Sequence, residues 1–366
     1  MASRVYFIDM RSSMNDTVIE RMVRGMKKAG VLSIAKEKEL LAVKMHFGER
    51  GNTSYIRPVF VRAAIDEMKA TGCLPFLTDT NTLYVGSRSN TPEHIRTATE
   101  NGFSYASMGV PIVIADGLKG GNYETVPITG DLFREVKIAS DIARADAVLA
   151  LTHFKGHELT GIGGALKNIG MGGGSRAGKM EMHADVHPRV SEACIGCGKC
   201  IPWCQVKAIS MKAEKAVIDH DVCVGCAECI VVCPVSAIKI NWKWDGSFVQ
   251  KRMAEYAAGV AQPRKKKIAY INFVMDVSPQ CDCYHFSDAS IVPDVGILIS
   301  RDPVAIDQAS ADLVNEQEGI KGTAVKKAKA GADKIRDINP EIDWTVQIKH
   351  AEKIGLGTSK YRVVKV

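Results

Sequence analysis

AVLALTHFKGHELTGIGGALKNIGMGGG (residues 147–174) contains both halves of the chain's organisation. Its first six residues are a continuous apolar run of strand length, and everything after Thr152 is dense in glycine. An apolar run without alternation reads as a strand covered on both faces, as in a parallel sheet packed between helices. Upstream, RVYFID (4–9), LLAVKM (40–45), PFLTD (75–79) and PIVIAD (111–116) repeat that strand pattern. Between them, TVIERMVRGMKKAG (17–30) places Val18, Met22 and Met26 at four-residue spacing and stops on Gly30, which predicts a helix with a glycine stop. RPVFVRAAIDEMKATG (57–72) has Pro58 near its start and Gly72 at its end, the same design. The pattern resumes late in the chain with KIAYINFV (267–274), VGILIS (295–300) and the helix candidate DPVAIDQASADLVNEQ (302–317). Strands alternating with helices predict an α/β fold with a mostly parallel sheet.

Between these two runs of α/β pattern lies a segment of another kind. Eight of the eleven cysteines fall within residues 194–233. CIGCGKCIPWCQVKAISM (194–211) and CVGCAECIVVCPVSAIKI (223–240) lie 29 residues apart and agree at nine of eighteen positions, an internal duplication. Each copy carries C-x2-C-x2-C-x3-C, the bacterial ferredoxin spacing for a 4Fe-4S cluster, in which the fourth cysteine serves the other cluster. Cluster I would take Cys194, Cys197, Cys200 and Cys233; cluster II would take Cys223, Cys226, Cys229 and Cys204. Paired zinc sites are the competing reading, but four ligands per ion leave the third cysteine of each copy unexplained. The first copy departs from the pattern at Gln205, where the second has Pro234. The expected organisation is a first part of an α/β body (1–187), an inserted α+β two-cluster ferredoxin-like domain (188–240) and the second part of the body (241–366).

Composition agrees with this and excludes other classes. The 366 residues are 46% hydrophobic and 24% charged, a globular profile long enough for about two domains. No run of eighteen apolar residues predicts a membrane span. The start, MASRVYFIDM, lacks the pattern of a secretory signal, so a cytoplasmic, reducing setting is expected, in which clustered cysteines bind metal. A net charge of +7 is modest and gives no reason to expect nucleic acid. The run Arg264-Lys265-Lys266-Lys267 is expected on a solvated strand edge.

Candidate chemistry outside the cysteines concentrates after Thr152. His153, His157, His183 and His187 form two pairs at four-residue spacing, and Lys155, Lys167 and Lys179 accompany them. Glycines including Gly163 and Gly164 expose backbone N–H groups, and GGALKN is expected to open a short helix whose positive end can hold a phosphate or carboxylate. The expected roles are proton transfer for His153, His157 or His183, and anion or cofactor binding for Lys155, Gly163, Gly164, Lys167 and Lys179. A flavin, a nucleotide or another anionic ligand would suit such a loop. Lys44, His46 and Glu49 follow the second strand, and Asp79, Thr80, Asn81 and Thr82 the third; ligands bind at such carboxyl ends of parallel strands. Cys281 and Cys283 are free thiols near the crevice, metal ligands with a histidine, or packing residues.

KMHFGERGNTSYIRP, THFKGHELTGIGGALKNIGMGGG and CDCYHFSDASIVPDVGILISRDPVAIDQASADLV, with the ferredoxin spacing between the last two, resemble the family of uncharacterised iron-sulfur centre proteins that carry a domain of unknown function. The resemblance implies a cytoplasmic redox protein without assigning a reaction. A fainter resemblance, carried by His153, Gly161, Gly163, Gly164, Lys167 and His183, links the body to the lactate racemase family, whose members bind a nickel-pincer nucleotide in a two-domain α/β fold. That implies the place of a site and not its activity. The expected function is an oxidoreductase passing electrons through two 4Fe-4S clusters, supplied by a redox partner protein, to a small anionic substrate or cofactor. The alternative is a noncatalytic electron carrier or assembly adaptor that docks on a partner enzyme.

Overall fold

The computed structural model describes residues 2–84, 86–183, 188–204, 206–223, 228–239 and 246–366. An eight-stranded sheet runs through its centre, built from β1 (Ser3–Asp9), β2 (Leu40–Lys44), β3 (Leu74–Asp79), β4 (Ile112–Ile114), β5 (Ala147–His153), β6 (Ile268–Val274), β7 (Gly296–Ser300) and β8 (Tyr361–Lys365). The spatial order is β8-β1-β7-β6-β5-β2-β3-β4. Five of the seven pairings are parallel, and β7 runs antiparallel to both its neighbours. β6, which lies beyond the cysteine segment, pairs in register with β5, which precedes it, from Ile268↔Val148 to Phe273↔His153.

The apolar runs form strands because both faces are covered. Along β5, Ala147, Leu149 and Leu151 enter one core while Val148 and Ala150 enter the other. The first core takes α1 (Val18–Lys28) through Met22 and Met26, and α2 (Pro58–Lys69) through Phe60, Ala64 and Ile65. Thr17 starts α1 with a capping box to Glu20. The opposite core takes α3 (Ala165–Gly170), α5 (Gly246–Ala261) and α6 (Pro303–Glu316); α4 (Arg176–His183) packs against α5.

The basic run corrects one expectation. β6 is an interior strand, not an edge, and Arg264 is buried with its guanidinium donating to the carbonyls of Ile142, Ala143, Ala145 and Val260. The arginine closes chain ends beneath the sheet, where carbonyls without helical partners need donors; within the run only Lys265 and Lys266 are exposed.

In the cysteine segment the duplication recurs as geometry. Lys207 and Ser236, 29 residues apart, both take a positive φ, at 54° and 50°. One residue later, Ala208 donates its N–H to Cys204 Sγ and Ala237 donates to Cys233 Sγ, each at 3.1 Å. Ile209 and Ile238 then begin short antiparallel pairings, with Ile218 and Val190 as partners. Cys226, Gln205 and His187 lie outside the described residues.

Candidate functional site

Because β2, β3, β5 and β6 are parallel, their carboxyl ends meet at one side of the sheet, and there a cavity of about 680 Å³ opens. Lys44 and His46 come from the end of β2, Asp79 and Thr80 from β3, His153 from the end of β5, Lys155 and His157 from the chain just beyond it, and Cys281 and Cys283 from the loop after β6. The glycine-rich stretch folds over it as a small hairpin, Lys155–His157 against Gly161–Gly163, leading into α3. The sequence motifs at these strand ends also hold each other: Glu49 donates its N–H to the Asp282 carbonyl, and Asn52 Nδ2 to those of Tyr284 and Phe286.

Buried ion pairs stiffen the walls. Lys44 Nζ sits 2.9 Å from Asp79 Oδ1, and Arg88 lies 3.2 Å from Glu49 and 3.5 Å from Asp79. Burial alone would raise the Asp79 carboxyl, but Lys44 and His94 outweigh it and hold it well below the usual range. Asp282 is fully buried and takes His153 Nδ1 at 2.9 Å and Lys155 Nζ at 2.9 Å. Burial again pushes upward, and those two partners reverse the shift. The cavity lining carries Lys44, Arg50, Arg88, Lys155, Lys167 and Lys179 against Glu49, Asp79 and Glu158, an excess of positive charge suited to an anion.

All eight body residues expected in the site border this cavity: His153, His157, His183, Lys155, Gly163, Gly164, Lys167 and Lys179. Their partners redistribute the expected roles. Both ring nitrogens of His153 already face oxygen, Nδ1 on Asp282 and Nε2 on the Met275 carbonyl at 2.9 Å, so this histidine is positioned as a strut. Lys155 is held by Asp282 and by the His153 carbonyl. Lys179 bonds Thr80 and the Gly174 carbonyl, and burial among other cations pulls its ammonium down to about 8. The Lys167 Nζ lies 3.7 Å from Cys281 Sγ and lines the open cavity. His183 ends α4, and burial pushes its ring down to about 3.

The positive end of α3 departs from expectation. The Asp307 carboxylate accepts N–H bonds from Ala165 at 2.6 Å and Leu166 at 2.9 Å, so the chain supplies its own anion there. Gly164 is required by that contact, since a Cβ on it would stand 2.4 Å from the Asp307 carboxyl carbon. Burial raises the Asp307 carboxyl to about 6 against these bonds.

His157 and His153 do not share a helix and do not converge on one ion. His157 instead joins Cys281 and Cys283, with the potential ligand atoms of all three within 4.8 Å of one another. This group is one possible metal-binding triad. The Cys283 thiol bonds the Cys281 sulfur and, against burial and with Lys167 and His157 adding, holds Cys281 well below the usual thiol range. The same bond, with burial, pushes Cys283 well above it. Cys73 is a packing residue, buried with its thiol on the Met68 carbonyl.

Sequence reasoning missed Asp282 and Arg88. Asp282 carries one signal, a carboxylate enclosed between two cysteines in CDC; Arg88 lies in SRSN and carries none.

Cys194, Cys197, Cys200, Cys204 and Cys233 of the duplicated segment are free thiols. Cys194, Cys200, Cys204, Cys229 and Cys233 pack into one small apolar core with Ile209, Ile230 and Ile238. Cys197 is exposed and Cys223 half-buried. Ala216 N–H points at Cys194 Sγ at 3.5 Å, alongside the two 3.1 Å contacts on Cys204 and Cys233. That core also contains Leu83 and Met180, and Leu83 lines the cavity. Lys119 lies over the ring of Trp203 and ties the segment to the body at a second point.

The sequence matches the family described as Domain of unknown function (DUF362) over residues 41–312. No curated protein matches. Among solved structures, that of the lactate racemase apoprotein from Thermoanaerobacterium thermosaccharolyticum aligns over 75% of this chain at 12% identity and a TM-score of 0.38. The alignment spans about half of that protein, 51%. Among the described residues no helix is long and apolar enough to cross a membrane.

Proposed function

The chain belongs to the DUF362 family, and from that premise we propose that it is an iron-sulfur oxidoreductase whose cysteine segment passes electrons to an anionic substrate or cofactor in the strand-end cavity. The surroundings of the described sulfurs support two cubane clusters. Three sulfurs of the duplicated segment receive backbone N–H groups, the donors that stabilise a sulfur bearing negative charge. Five sit in a shared apolar core, as ligands exchanged between two copies require. Cys194, Cys197, Cys200 and Cys233 would hold one cluster, and Cys223, Cys226, Cys229 and Cys204 the other. Bound there, the clusters would supply one-electron transfer. In this reading residues 188–240 form the inserted ferredoxin-like domain of a body made from 1–187 and 241–366, in a cytoplasmic setting that keeps the thiols reduced.

The observation that carries the proposal is Leu83, which belongs to the same small apolar core as Cys200 and Cys229 and also lines the cavity. Ile195, Val206, Val222 and Val235 of the cysteine segment are exposed apolar side chains that a redox partner protein can cover. In the cavity, Lys167 is the cation to meet the anion, while the Asp282 pairings keep His153 and Lys155 in place. A flavin or nucleotide is the expected class of cofactor. The test is to release small molecules from anaerobically purified protein, identify them by mass, and repeat with Lys167→Ala. We expect an anionic molecule in the wild type, its loss in the variant, and equal iron in both. Full iron with no bound molecule and no anion binding would instead assign the protein to electron carriage alone.

A further inference from the structure

We infer that Cys281 and Cys283 form a redox-active dithiol that reduces a small anionic disulfide, with Cys281 as the attacking sulfur and Cys283 as the resolving one. The inference concerns residues outside the duplicated segment, and it rests on the iron-sulfur reading only for the electrons that reset the pair. Three neighbours make the two sulfurs unequal. Lys167 Nζ is 3.7 Å from Cys281 Sγ, the Cys283 N–H lies 3.4 Å from the same sulfur, and the His157 ring joins them. The N–H groups of Leu159, at 3.0 Å, and Thr160, at 3.2 Å, both point at His157 Nδ1. That nitrogen therefore carries the lone pair, and the ring proton sits on Nε2. A metal ligand would need the lone pair on Nε2, so His157 acts as a hydrogen-bond donor to the Cys281 sulfur and not as a third ligand to an ion. An acceptor sulfur surrounded by an ammonium, an imidazole N–H, an amide N–H and a second thiol is a thiolate in the setting that activates it. Both cysteines line the cavity, whose excess of cations selects an anionic partner.

In the first step Cys281 S⁻ attacks one sulfur of R–S–S–R; a Cys281–S–R bond forms, the S–S bond breaks and R–S⁻ leaves. Cys283 gives its proton to that thiolate and attacks Cys281 Sγ. The Cys281–Cys283 bond forms, and the second R–S⁻ departs. Two electrons have passed from the protein to the substrate. Return of the pair to thiolate and thiol takes two electrons by way of the cysteine segment and one proton from solvent.

The test uses the full chain, purified anaerobically with its iron in place, and dithiobisnitrobenzoate, an anionic aromatic disulfide, as the probe. Release of about two thionitrobenzoates per chain is expected, with the protein lighter by about two hydrogens. Cys283→Ala should release about one and keep one adduct, mapped by peptide mass to Cys281. Cys281→Ala should slow release at least about tenfold. Iron is measured throughout, so that attack on the duplicated cysteines, which would count against the clusters, shows as iron loss, while the position of the first adduct decides this inference independently. A first adduct on any cysteine other than Cys281, an undiminished rate in Cys281→Ala, or a pair that reacts only after a chelator removes bound zinc would overturn it.

Discussion

The cysteine segment and the strand-end cavity are built in opposite ways. In the segment, side chains of like role lie three or four positions apart, and the same turn recurs after 29 residues, with Ala208 and Ala237 donating to Cys204 and Cys233. In the cavity, Cys281 and Lys167 meet across 114 positions and His153 and Asp282 across 129. A local site needs only a short loop of the right spacing; a distributed one needs the sheet to be complete first. The cavity should therefore fail with the fold, and the segment should fail with its ligands.

The largest effect that would test this contrast is on metal content. Cys200→Ala should lower iron from about eight atoms per chain to about four or fewer, with the body's melting transition retained. Loss of that transition would show that the segment supports the sheet and is not a local unit. In the cavity the strongest perturbation is Asp282→Ala, which leaves Lys155 and His153 buried beside no carboxylate. It should cost about 3–5 kcal/mol in denaturant unfolding while iron stays bound.

A pH effect sharpens the same comparison. Asp307 has its carboxyl raised to about 6 by burial, against about 3.9 in the unfolded chain, so the folded state binds its proton more tightly. Its contribution is then fully present below about pH 4 and lost as pH rises through about 6, up to about 3 kcal/mol in all. Asp307→Asn should flatten the stability profile across that window; an unchanged slope would mean another group sets it. The smallest effect is expected where the two regions touch. Lys119→Ala removes the cation over Trp203 and should cost no more than about 1 kcal/mol, read as a small loosening of the segment in hydrogen exchange.

The same contrast explains how much the sequence could disclose. The strands were legible because runs such as AVLALT are apolar without alternation, and the structure places them as β5 and its neighbours in a largely parallel sheet. The convergence of Lys44, Asp79, His153 and Lys167 on one cavity came from their positions at strand ends and in the glycine-rich stretch. What was not legible were the partners. The carboxylate on the N-terminus of α3 comes from Asp307, more than a hundred residues downstream, and no local pattern shows that the expected anion site there is already filled. His153 reads as a proton-transfer residue from its type and place alone; the Asp282 and Met275 oxygens that occupy both its nitrogens come from beyond the cysteine segment. The run containing Arg264 sits just before a strand and reads as a solvated edge, but the carbonyls that bury the arginine belong to a distant helix end.

The most direct test of the central claim is the iron and acid-labile sulfide content of the anaerobically purified full chain, with electron paramagnetic resonance of its reduced form. The account predicts about eight irons and eight sulfides per chain with the signals of two reduced 4Fe-4S clusters. Fewer than about four irons, with zinc bound to the duplicated cysteines in their place, would contradict it.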